Sequence, residues 1–72
     1  MEMYGIRGIP AGATIPTIAM RVQAPTAERA HALAAARPIA AGLRLEVIHI
    51  GGAQDEETVR YEGPWPWPDR AT

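Results

Sequence analysis

The chain has no cysteine, no serine, no lysine and no phenylalanine. Without cysteine there is no disulfide and no thiolate metal site. Without serine, cysteine or lysine, covalent catalysis is left to threonine. Thr14, Thr17, Thr26, Thr58 and Thr72 have no local base motif beside them. Long apolar runs are missing too. The longest, Ala32 to Gly42, is broken by Arg37 and Pro38, so no segment reads as a membrane span. The opening Met-Glu-Met-Tyr-Gly carries neither the basic nor the apolar part of a secretion signal, and a cytoplasmic protein is the expectation.

Charge of one sign is lacking as well. The formal net charge is −1, with arginines and acids interspersed. That balance gives no basic footprint for nucleic acid and no polybasic patch for a membrane surface. The bias towards alanine, arginine, glycine and proline suits a GC-rich genome, which points to an actinobacterial host or one of its phages.

At 72 residues the chain has room for one domain. A domain of this size hides only about 60% of the surface its unfolded chain exposes, and small domains commonly gain support from disulfides, metals or partners. With disulfides excluded and only His31 and His49 as imidazole ligands, contact with a second protein surface is the expected support.

Residues 1–13 read as a flexible or edge-strand N-terminus, because Gly5, Gly8 and Gly12 interrupt the apolar positions around Met3 to Ile9. In residues 14–24, Ile18, Met20, Val22 and Ala24 alternate with Thr17, Ala19, Arg21 and Gln23, a strand pattern that starts after Pro16. Thr26 is a natural N-cap, with Glu28 in the first turn, so the alanine-rich run predicts a helix over about 26–36. Its buried stripe is Ala30, Leu33 and Ala34, with Ala27 at the margin. Pro38 ends it, and Gly42 closes a short turn.

In LRLEVIHI, residues 43–50, Leu43, Leu45 and Val47 share one face and Arg44 and Glu46 the other. The alternation then fails at Ile48 and Ile50. Either a bulge resets the phase or the strand end is covered on both faces. TVRYE at 58–62 alternates again, and the two strands read as an antiparallel hairpin with a long loop. The fold expected is α+β: a small mixed sheet of three or four strands in the order (β)βαββ, with one helix on one face. Residues 14–24 and 43–50 would be joined by a right-handed crossover and lie parallel. The division is an N-terminus over 1–13, a βαββ domain over 14–62 and a Pro/Trp-rich arm over 63–72.

Gly5-Ile6-Arg7-Gly8 has the spacing of a GxxG backbone clamp, but that clamp joins two helices and only four residues precede this one. His31 and His49, with Asp55, Glu56 or Glu57, are the side chains from which a metal or acid–base site would be built. None of these pairs has the i, i+4 spacing of one helix face. The acidic triplet itself lacks the ligand pattern of an EF-hand and reads as a solvated loop. Pro64-Trp65-Pro66-Trp67-Pro68 is the most informative segment. Two indoles on a stiff extended arm present a large apolar area at small ordering cost.

These readings favour a non-enzymatic protein–protein interaction or assembly module, a bacterial or phage accessory protein. It would contact itself or another protein through Trp65, Trp67, Tyr61, Ile48 and Ile50, with no cofactor, no metal and no membrane. The alternative is a small nucleic-acid-binding or regulatory domain using Arg7, Arg21 and Arg44. A minor enzyme subunit built on His31 and His49 is a third reading.

Overall fold

The computed structural model describes residues 1–52 and 55–66. Strands β1 (Glu2–Pro10) and β2 (Ile18–Ala24) come first, followed by helix α1 (Ala27–Ala35) and a single 3-10 turn at Pro38–Ala40. Strands β3 (Leu43–Gly52) and β4 (Thr58–Pro64) complete the order. They form one four-stranded sheet, ordered β3-β1-β2-β4, with the helix packed against it.

Local chemistry sets the helix limits. The Thr26 hydroxyl accepts from the Arg29 backbone N–H at 3.1 Å, which satisfies one of the orphan donors of the first turn. At the other end Pro38 cannot continue the ladder, and Gly42, at φ +77°, turns the chain into β3. Ala30 and Ala34 are fully buried, and Leu33 packs beside them. Small side chains bring the helix close to the sheet at the cost of burying little area themselves.

The core lies between helix and sheet. Tyr4 and Ile6 of β1, with Met20, Val22 and Ala24 of β2, form its centre. Ile18, Leu45, Val47, Val59 and Ile39 pack round it. Ile6, Met20 and Val22 are completely removed from solvent, and each such side chain stabilises the fold by about 1.5–3 kcal/mol.

The α+β class, the strand–strand–helix–strand–strand order and the single helix on one face agree with the sequence reading. The pairing differs from it. All three ladders are antiparallel, so the sheet is not mixed. β2 and β3 do point the same way, but β1 lies between them. β3 and β4 are not a hairpin, since they occupy opposite edges.

The N-terminal segment is the source of both differences. β1 is an interior strand, paired along its length with β2 and with β3. Its glycines do not loosen it. A Cβ on Gly8 would stand 2.6 Å from Ile18 Cγ1 and 2.9 Å from Leu43 Cδ1, so the neighbouring strands close over a space that only glycine leaves open. β4 likewise runs further than the alternation showed. Gly63 and Pro64 pair with Ala19 and Ile18, and Pro64 is tolerated because β4 is an edge.

β3 has a bulge just past the failed alternation, while Ile48 itself follows Val47 in regular register, opposite Gly5 and on the side away from the helix. Tyr4 pairs with His49 and Met3 with Gly51, which leaves Ile50 as the extra residue. β4 has a second register shift, with Arg21 opposite Tyr61 and Val22 opposite Val59, so Arg60 is the residue left over there.

Candidate interaction surface

The side of the sheet away from the helix is built from alternate residues of the same strands. Ala19 stands between Arg7 of β1 and Gly63 of β4, and Arg21 between Gly5 and Tyr61. The Glu46 carboxylate of β3 bridges two guanidinium groups there. Arg44 Nη1 donates to Oε2 at 2.9 Å and Arg7 Nη2 donates to Oε1. The hydrogen bond from Arg44, helped by the charge of Arg7, holds the Glu46 carboxyl below the usual carboxylate range against a smaller opposing desolvation.

This side is better covered than a sheet with one helix suggests. Ile9, Ala19 and Gln23 are all buried on it. The Gln23 amide donates to the Glu56 carbonyl oxygen at 2.8 Å, which ties β2 to the segment leading into β4. Trp65 is half-buried, with the Arg7 guanidinium 5.9 Å from its ring centroid, and its backbone N–H donates to the Thr17 carbonyl at 3.2 Å. This indole therefore rests on its own chain. Trp67 lies outside the described residues. Tyr61 is half-buried and its hydroxyl sits over Gly63, donating to the Pro64 carbonyl at 3.4 Å.

Ile48 and Ile50 are placed differently. Ile48 is opposite Gly5 on β3 and remains 39% exposed, while Ile50, on the bulge, is 51% exposed. Both belong to an edge strand. The structure thus divides the five residues singled out by sequence. Tyr61 and Trp65 lie towards the β4 edge, Ile48 and Ile50 lie on the β3 edge, and Trp67 is not described. Sequence reasoning passed over Ile15, 70% exposed between β1 and β2. It also passed over the Arg7–Glu46–Arg44 cluster, whose only sequence signal was the alternation of Arg44 and Glu46.

The histidines are apart in role. His31 is exposed on α1. His49 Nε2 is 2.7 Å from Glu2 Oε1, and its ring meets that of Tyr4 with centroids 5.4 Å apart. Of the acidic triplet, Asp55 faces the N-terminal amine at 3.5 Å, and Glu57 is taken up by Arg29. Among the described residues no group of three or more His, Asp or Glu side chains is placed to hold a metal ion. Nor is any helix among them long and apolar enough to cross a membrane. An open cleft of about 390 Å³ runs along the outer side of β4, lined by Arg37, Thr58, Val59, Arg60, Tyr61 and Glu62.

Comparison of the chain with protein-family models, with curated proteins and with solved structures gives no match.

Proposed function

We propose that the chain is a small non-enzymatic protein–protein interaction module that assembles with copies of itself, as an accessory or assembly factor of a bacterium or phage does. The observation that carries this reading is the β3 edge. An exposed strand edge presents a row of backbone donors and acceptors to any other strand, and proteins that must avoid pairing blunt such edges with lysine, proline or charge. β3 has neither lysine nor proline, its Arg44 and Glu46 charges are paired with each other, its bulge lies only at Ile50 near the end, and it exposes Ile48 and Ile50. A domain with so small a core has the most to gain from covering them.

Nucleic-acid contact through Arg7, Arg21 and Arg44 draws less support, because Glu46 takes up both Arg7 and Arg44. The test is the mass in solution by sedimentation equilibrium, from about 1 μM to about 1 mM chain. The expected result is a mass that rises above one chain with concentration and returns to one chain in Ile48→Lys, with an unchanged circular dichroism spectrum. A wild-type chain that stays single across that range rejects the reading.

A further inference from the structure

We infer that the partner at the β3 edge is a second copy of this chain, joined strand to strand about a two-fold axis that passes through Leu45. The inference rests on the self-association reading above and adds the edge, the direction and the register.

The choice of edge comes from the bulges. β4 is interrupted in its middle at Arg60 and ends in Pro64. Either feature disrupts further pairing. β3 has its bulge near its end, at Ile50, so Leu43 to His49 runs without interruption. This is the stretch able to accept another strand.

The direction comes from symmetry. A strand that meets its own copy about a two-fold axis does so antiparallel and isologously. Side chains directly opposite must share a side of the sheet, so the axis passes through a residue position.

The register comes from charge. An axis at Arg44 sets guanidinium against guanidinium, and an axis at Glu46 sets carboxylate against carboxylate. Like charges directly opposite are destabilising. An axis at Val47 places the Glu46 carboxylate against Ile48, and an axis at Ile48 or beyond runs into the bulge. An axis at Leu45 meets none of these penalties. Arg44 of each copy falls opposite Glu46 of the other, so the pair forms twice. The Glu46 carboxylate already accepts from Arg7 and from Arg44 of its own chain, so the pair across the axis joins an existing cluster or exchanges with its Arg44 bond.

On the helix side the same register sets Leu43 opposite Val47 twice and Leu45 opposite itself. Leu45 and Val47 already pack against the core, so the apolar layer continues from one copy into the next. Ile48 comes beside Gly42 of the other copy, where nothing stands within 4 Å of a Cβ position. Pairing over Leu43 to Val47 is a small contact, below the ~1,200 Å² of a standard interface. A weak dimer with a dissociation constant of micromolar order or above is expected.

The test is a charge swap with an independent cross-link. Arg44→Glu alone and Glu46→Arg alone each set like charges opposite one another. Each is expected to raise the dissociation constant about tenfold or more. Mixed in equal amounts, the two variants restore opposite charges across the axis, and the mixture is expected to dimerise where neither does alone. Glu46→Arg also removes the partner of Arg7, so the second measurement leaves both charges intact. The chain has no cysteine. Oxidised Leu45→Cys chains are therefore expected to give a covalent dimer, and Ile50→Cys chains are not. A dimer that cross-links through Ile50→Cys and not Leu45→Cys, or a mixture that stays dissociated, overturns the axis while leaving self-association in place. A single-chain mass in every sample overturns both.

Discussion

Arg29 holds Glu57 at two points, with Nε donating to Oε2 at 2.8 Å and Nη2 donating to Oε1 at 3.1 Å. Arg37 holds Glu62 in the same way, at 2.7 and 3.2 Å. One arginine lies in the first turn of α1 and the other just past its end, so the pairs fasten both ends of the helix to the β4 segment. β4 is an edge strand bulged at its centre, and these bonds help to keep it in place.

Those pairs give the chain an acid-sensitive stability. Hydrogen bonds from Arg29 and Arg37 lower the pKa values of Glu57 and Glu62, and Arg44 does the same for Glu46. A carboxyl whose folded pKa is depressed contributes stability that is present above its unfolded value. That stability is lost as pH falls through the folded value. The urea midpoint should therefore hold from neutrality to about pH 4.5 and fall below it. Exposed pairs are screened by salt, so the fall should be shallower in 0.5 M sodium chloride. Glu57→Gln should flatten it further. Urea titrations at several pH values check this, and an unaltered acid limb in Glu57→Gln would remove the pair from the account.

Gly8 is a position where a single methyl group is costly. Its missing Cβ is the space into which Ile18 and Leu43 close from both sides. Gly8→Ala must displace both side chains in a packed interior, at a cost of about 1–3 kcal/mol. Gly8→Ala combined with Ile18→Val should recover part of the loss. Urea midpoints of the two variants decide the matter, and equal losses would mean that the crowding lies elsewhere.

These glycines also show where the sequence was legible. The helix could be read because its signals are local: Thr26 as cap, Glu28 in the first turn, Pro38 as stop. β3 was legible through Leu43, Leu45 and Val47, and of the two residues where alternation failed only Ile50 is the bulge, Ile48 being an exposed apolar residue in regular register. The place of β1 was hidden, because Gly5 and Gly8 weaken a strand in isolation, and at Gly8 the gap is filled only when Ile18 and Leu43 of the two neighbouring strands are in place. With β1 set aside, β3 and β4 were the only hairpin left to draw. The candidate surface divides in the same way. Ile48 and Ile50 showed in the pattern, whereas the meeting of Arg7, Arg44 and Glu46 depends on a pairing between residues far apart in sequence.

Met20 tests the size of the core. It is fully buried between β1 and β4 on the helix side. Met20→Ala should cost about 2–5 kcal/mol, a large share of the stability of any small domain. Thermal unfolding should show either a much lower midpoint or no cooperative transition. A loss below about 1 kcal/mol would show that the cavity collapses around the smaller side chain.

Trp65 and Arg7 provide a different kind of measurement. The guanidinium lies 5.9 Å from the indole centroid, a geometry worth about 0.5–2 kcal/mol according to its exposure. A double-mutant cycle of Trp65→Ala and Arg7→Met, read by urea denaturation, should give a coupling energy in that range. Zero coupling would mean that Arg7 does not help to hold the indole.

The first of the four strands in chain order occupies the interior of the finished sheet. As the chain leaves the ribosome, the β1–β2 hairpin has both outer rims open. One is covered by Leu43–Gly52 and the other by Thr58–Pro64, the last strand in chain order, so each stays open until its strand is free to pair. A chain that lacks β4 would show the bare rim of β2 to its surroundings, the kind of open strand edge that invites aggregation.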